Sequence, residues 1–294
     1  QLDLLVAVDH FLTPTAQLAD YVRQHYPTAV TRICDGLDVD AGESVAREWS
    51  PLVEIQRGNS ERPLFFVHPI GGNIFCYVDL ARELGSEQSF YGLQSFGLAG
   101  DETPLNDVSE MAARYLDAIR RVQPEGPYML GGWSFGGLVA YEMAQQLQRA
   151  GQEVGLVALI VTHPGKVLEI ELDDEALLRQ FKSDMNAMNG SEGAGLESDH
   201  LNRLFQVFRG NAHATVHYEP QPYEGRITYF RASDRLSEYP IDPIDEWRNL
   251  AGDGVEVHVV PGNHYTMLKE PAVLVLADWL KVCLNLGLKK AQTM

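Results

Sequence analysis

Gly132-Trp133-Ser134-Phe135-Gly136 places a serine between two glycines, directly after the apolar run Tyr128-Met129-Leu130 and before a segment with Ala140, Met143, Ala144 and Leu147 at helical spacing. A strand that turns at once into a helix leaves no room for side chains beside the turn. Flanking glycines let the backbone bend and push the serine out above the sheet, where its hydroxyl can attack a carbonyl. A serine hydroxyl needs a base within hydrogen-bond reach. Of the nine histidines, His264 has the fitting position, in Pro261-Gly262-Asn263-His264-Tyr265-Thr266-Met267 just past the last expected strand. His10, His25, His200, His213, His217 and His258 have no comparable placement and read as structural or solvated. Acyl transfer also needs two N–H donors for the developing oxyanion. Phe135, at the start of the helix, supplies one; the other is expected from His68-Pro69-Ile70-Gly71-Gly72, after the strand ending at Val67. Proline at 69 has no N–H, so the donor is Ile70 or Gly71.

These residues must be carried by a sheet with helices around it. From Pro63 onward strands and helices alternate, which predicts an α/β fold with a mostly parallel central sheet flanked by helices. Strands are expected at Leu52–Gln56, Leu64–Val67, Phe90–Leu93, Tyr128–Leu130, Leu156–Val161, Ile227–Phe230 and Val255–Val260. Helices are expected over Asn73–Leu84, Val108–Val122, the stretch after Ser134, and Pro271–Val282. The order serine, acid, histidine, with the histidine on the last loop, is that of an α/β-hydrolase. Between about residues 166 and 210 the alternation breaks, and an insertion of that size after a strand reads as a helical lid over the site. Residues 50–294 then form the catalytic domain, residues 26–49 a linker, and residues 1–25 a helical remnant of a preceding unit, with Thr13-Pro14 as its helix start.

Composition narrows the partners. A formal net charge of -18 repels phosphate backbones and anionic lipid, which argues against nucleic acid and membrane surfaces. Cys34, Cys76 and Cys283 are widely spaced, in neither a disulfide framework nor a metal-binding pattern, so no metal is expected and a reducing, cytoplasmic setting fits.

The three motifs, together with Tyr218-Glu219-Pro220 and Tyr223-Glu224-Gly225, resemble the terminal thioesterase domains of nonribosomal peptide and polyketide synthases over about residues 50–285. Phe11-Leu12-Thr13-Pro14-Thr15-Ala16-Gln17-Leu18-Ala19 is similar to the last helix of a carrier protein domain, whose phosphopantetheine-bearing serine motif is not present. The resemblance implies that Ser134 accepts an acyl or peptidyl chain from the phosphopantetheine of a separate upstream carrier, with no bound cofactor. His264 then acts as base and acid during release by hydrolysis or cyclisation.

One position departs from that family. Its triad aspartate usually follows the strand after the elbow helix, where this chain reads Leu159-Ile160-Val161-Thr162-His163-Pro164 and has a threonine. A threonine hydroxyl can orient an imidazole but cannot stabilise an imidazolium. Asp234, after the next strand in Phe230-Arg231-Ala232-Ser233-Asp234, is the expected substitute; Glu171, Asp173 and Asp174 belong to the lid and read as a solvated face. Thr162 also motivates two other readings, a catalytically impaired domain that docks a carrier without turnover, and a deliberate replacement of the aspartate. A free-standing editing thioesterase is disfavoured by the carrier-like N-terminus.

Overall fold

Leu64-Phe65-Phe66-Val67 is apolar at every position, as a strand must be when both faces of its sheet are covered. In the computed structural model, which describes residues 49–98, 102–165, 172–189, 198–234 and 242–291, this run is strand β2 near the centre of a seven-stranded sheet. The strands are β1 (Leu52–Gln56), β2 (Leu64–Val67), β3 (Phe90–Leu93), β4 (Tyr128–Trp133), β5 (Val154–Ile160), β6 (Ile227–Ala232) and β7 (Val255–Val260). Their spatial order is β1-β3-β2-β4-β5-β6-β7. Among the described strands only the β1–β3 pair is antiparallel. The carrier-like helix and all of the linker except Trp49 lie outside the described residues.

Successive side chains on a strand point to opposite faces, and two apolar layers result. On one face Phe65, Leu130, Val157 and Tyr229 meet α2 (Val108–Arg120), α3 (Phe135–Arg149) and α6 (Ile244–Leu250) through Met111, Tyr115, Val139, Tyr141 and Trp247. On the other, Phe66, Met129, Ala158 and Phe230 meet α1 (Val78–Leu84) and α7 (Ala272–Ala291) through Leu80, Leu84, Leu276 and Leu280. Asp107 caps α2 by accepting from the N–H of Glu110 at 2.8 Å, a contact typically worth about 1 kcal/mol.

The chain leaves β2 towards β3 on one side and returns to β4 on the other. The topological switch therefore lies between β2 and β4, and open α/β sheets bind ligands beyond the carboxyl ends of the strands at such a point. The loop after β2 and the turn after β4 are the two segments that the sequence marks for chemistry.

Two further helices, α4 (Asp174–Asn189) and α5 (Ser198–His217), come from the expected lid segment, α5 running past residue 210. Leu177 and Phe181 of α4 pack against Leu204, Val207 and Phe208 of α5 in a third apolar cluster that also takes in Leu98. Elsewhere the boundaries shift. The helix expected from Asn73 begins at Val78, after a 3-10 turn at Phe75–Tyr77, because the Asn73 side chain takes the N–H of Phe75 at 3.3 Å and holds a turn there. Helix α6 was not expected, since seven residues are too few for a helical period to show in the sequence. Among the described residues no helix is long and apolar enough to cross a membrane.

Candidate active site

Ser134 stands between β4 and α3 with φ 57° and ψ -122°, a backbone conformation that costs energy in any residue but glycine. The surroundings hold it there: its N–H donates to the carbonyl of Ile160 at 2.9 Å, and its own carbonyl accepts from the N–H of Gly137 at 3.1 Å. A Cβ on Gly132 would collide with the backbone of Gly136, and one on Gly136 with the carbonyl oxygen of Val67. The elbow glycines thus let three backbones meet where side chains could not. Ser134 itself is only half-buried, and its hydroxyl makes no capping bond to the helix.

A buried tyrosine clamps the two halves of the switch point together. The hydroxyl of Tyr77 donates to the carbonyl of Val67 at 2.6 Å and accepts the N–H of Trp133 at 2.9 Å, so the ends of β2 and β4 are fixed through one oxygen. The loop after β2 is fixed again by His68. Its Nδ1 lies 2.7 Å from the carbonyl oxygen of Pro69, which can only accept, so Nδ1 carries the proton. Nε2 then accepts from the hydroxyl of Tyr115 at 2.7 Å. Burial pushes His68 down to about 4, and it stays a neutral imidazole at physiological pH. The carbonyl of Ile70, in the same loop, accepts from the side-chain amide of Asn211 on α5 at 2.8 Å. With that carbonyl held by the lid and Phe135 at the first position of α3, the two expected oxyanion donors stand on the two loops that flank the switch point.

His264 is buried, its ring 5.2 Å from that of Trp133, the residue before Ser134. Its loop is a self-bonded turn: Asn263 Oδ1 accepts the N–H groups of Tyr265 and Thr266 at 3.0 and 3.2 Å, and Thr266 Oγ1 accepts the N–H of Asn263 at 2.8 Å. Burial first, and the neighbouring His163 second, push His264 down to about 3. His163 is lowered as well, chiefly by burial and against the pull of Asp242. Sequence reasoning gave His163 no role, and its burial beside His264 could not be read from its position after Thr162.

Thr162, at the family's acid position, is fully buried. Its hydroxyl donates to the carbonyl of Ile160 at 3.2 Å, its carbonyl accepts from the indole N–H of Trp247 at 2.8 Å, and its side chain fills the space over Gly137 that a Cβ there would need. Asp234 is exposed and accepts from the hydroxyl of Ser233 at 2.8 Å. It joins the base loop through its backbone, donating its N–H to the carbonyl of Gly262 at 2.9 Å. Of the lid acids, Asp173 caps α4, accepting from Ala176 at 2.9 Å, and Asp174 pairs with Arg209 of α5 at 3.2 Å. Glu171 lies outside the described residues.

Helices α4 and α5, from the segment expected to form a lid, touch both sides of the site. Asn211 holds the Ile70 loop, and the hydroxyl of Tyr265, next to the base, donates to Asp184 of α4 at 2.8 Å. At its far end Tyr218 ties the lid to α3, its hydroxyl donating to Glu142 at 2.7 Å. Tyr77, Asn211 and Asp184 are single side chains with no pattern around them in the sequence, and no motif could have found them.

Known proteins are similar to this chain in sequence and in fold. The chain is 32% identical over 250 residues to malpibaldin synthetase of Mortierella alpina, covering 81% of this chain and 4% of the synthetase. It is 32% identical over 229 residues to the dimodular nonribosomal peptide synthase of Bacillus subtilis (strain 168), covering 70% of this chain and 10% of that protein. The chain thus spans a small fraction of these relatives' length. Among solved structures, holo-AB3403, a four-domain nonribosomal peptide synthetase, superposes with a TM-score of 0.74 at 27% identity over 81% of this chain and 20% of that one. The NocB thioesterase domain, solved as a covalent complex with a fluorophosphonate nocardicin G analog, gives 0.61 at 27% identity over 77% of this chain and 96% of that one. The thioesterase domain family model matches residues 62–278, and with that match over most of its length the chain belongs to the thioesterase domain family and carries its α/β-hydrolase fold.

Proposed function

We propose that this chain releases an acyl or peptidyl chain from the phosphopantetheine thioester of an upstream carrier protein domain, with Ser134 as nucleophile. The observation that carries this reading is the strained, half-buried serine at the switch point, on the strand whose last residue packs against a neutral imidazole. As Ser134 Oγ attacks the thioester carbonyl, His264 takes its proton. The tetrahedral oxyanion receives the N–H groups of Phe135 and Ile70, and the pantetheine sulfur leaves with the proton held by His264. Water, or a hydroxyl or amine of the chain itself, then attacks the ester with His264 again as base. The carrier is a separate domain, and its pantetheine is part of the substrate.

An imidazole held at about 3 accepts a proton poorly. Turnover therefore needs negative charge brought to it, and we assign that role to Asp234. Its backbone already bonds to the His264 loop, and turning its carboxylate inward from Ser233 places the charge on that side of the base. Incubation with a fluorophosphonate or an acyl-pantetheine thioester, followed by peptide mass spectrometry, tests the reading. The expected adduct is on Ser134; no adduct there leaves only a carrier-docking role. Asp234→Asn is expected to slow deacylation at least about tenfold, and an unchanged rate removes Asp234 from the mechanism.

A further inference from the structure

Glu256 and His258 are two apart on β7 and so share one face of the edge strand, the face covered by α7, which contributes Cys283. Their carboxylate, imidazole and thiol donor atoms all lie within 4.8 Å of one another. His258 Nε2 is 3.2 Å from Glu256 Oε1 and 3.4 Å from Cys283 Sγ. Both contacts converge on one nitrogen, which has either one proton or one lone pair and cannot satisfy both neighbours in line at once. A cation at the centre satisfies all three. With metal–nitrogen and metal–oxygen bonds of about 2.1 Å and a metal–sulfur bond of about 2.3 Å, a tetrahedral zinc site sets nitrogen–oxygen and nitrogen–sulfur separations of about 3.4 and 3.6 Å. The observed nitrogen–oxygen and nitrogen–sulfur distances, 3.2 and 3.4 Å, each lie within a few tenths of an ångström of those values.

The surroundings are those of a built site. His258 and Cys283 are buried, and the imidazole packs against Trp279 and Phe230, with ring centroids 4.5 and 5.6 Å away. Glu256 is one-third exposed and opens the cluster to solvent, while its second oxygen faces Arg226 at 3.8 Å. Neither Ser134 nor His264 takes part.

We propose that Glu256, His258 and Cys283 bind one borderline divalent cation, Zn²⁺ being the best match, with a water in the fourth position. Imidazole and thiolate together select such ions over Mg²⁺ or Ca²⁺. Binding forms a metal–sulfur bond and releases the thiol proton to solvent. The cation pins α7 to β7, the strand that leads into the His264 loop. The residues could not be paired by eye in the sequence, because the cysteine and histidine come from different elements 25 residues apart.

The full chain, stripped with chelator, is titrated with Zn²⁺ against a chromophoric chelator, and with Co²⁺ while a thiolate-to-metal charge-transfer band is followed. One equivalent should bind with micromolar or tighter affinity, produce that band and raise Tm. Cys283→Ser should abolish the band and weaken binding at least tenfold, and Glu256→Gln, at a partly exposed position that leaves the core intact, should weaken binding severalfold with the band retained. A stoichiometry near zero, no charge-transfer band, or an affinity unchanged in both variants overturns the proposal.

Discussion

Strands β4 and β5 lie side by side and parallel, and each ends in a non-glycine residue at positive φ, Ser134 at 57° and Val161 at 43°. Such a conformation in a β-branched residue is rarer still than in serine, and it persists only where neighbours over-determine it. At β4 the strain aims a hydroxyl into the switch point. At β5 the same device delivers Thr162, whose hydroxyl turns back to its own strand and whose carbonyl is anchored by Trp247. The backbone at which the resemblance expects an acid is thus in place, and a threonine stands at its tip. Geometry at a strand end and chemistry at its tip are separable: the first is set by backbone packing, the second by one side chain.

The largest test of this contrast is at β4. Ser134→Ala should reduce thioester turnover, followed by thiol release, by at least about 10⁴-fold. Its Tm should stay near that of the parent, because the hydroxyl caps nothing. Retained turnover would mean that the strained serine is scaffold, like Val161. Next comes Thr162→Asp, which puts a carboxylate where the β5 backbone points. We expect kcat/KM to rise about tenfold or more, while Thr162→Asn, with the shape but no charge, does not raise it. The acid limb of the pH profile should move up towards neutrality, because the new charge favours the imidazolium that burial disfavours in the parent. An unmoved limb would show that the end of β5 no longer faces the base.

The smallest effect is on stability. His264 and His68 titrate at about 3 and about 4 in the folded chain, below the roughly 6.5 of an unfolded histidine. Between those values the unfolded chain binds more protons, so stability rises with pH there and is lost as pH falls from about 6.5 towards 3. The urea midpoint should decline over that window, and less steeply in Thr162→Asp, where His264 is raised. A midpoint flat from pH 6.5 to 4 would contradict the neutral, buried state of both rings.

The elbow was legible because its cause is local: glycines at 132 and 136 are demanded by backbones that meet there, and the alternation around them fixes strand, turn and helix. The departure at Thr162 was equally plain in the sequence. What surrounds it was not. Tyr77 reaches Trp133 across 56 residues, Trp247 reaches Thr162 across 85, and Asn211 reaches Ile70 across 141. Single polar side chains over such separations leave no periodicity or spacing. The lid segment showed itself as a break in the strand–helix alternation, yet its bonds to the two catalytic loops did not. Nor could the burial of His163 beside His264, which brings together the loops that follow β5 and β7, be inferred from its neighbours.

Those two lid bonds make access and readiness a single variable. Asn211 steadies the oxyanion loop and the Asp184–Tyr265 bond steadies the base loop, so a lid lifted far enough to admit a chain from outside lets go of both at the same time. Each bond is worth about 1 kcal/mol, which sets the catalytic loops loose by small, comparable amounts. Under the proposed function, a substrate that fits beneath α4 and α5 would restore them, and one that props these helices open would meet loops that have drifted. Under the same reading, selection among chains would then be exercised through the order of the catalyst itself, without any pocket having to reject the wrong one.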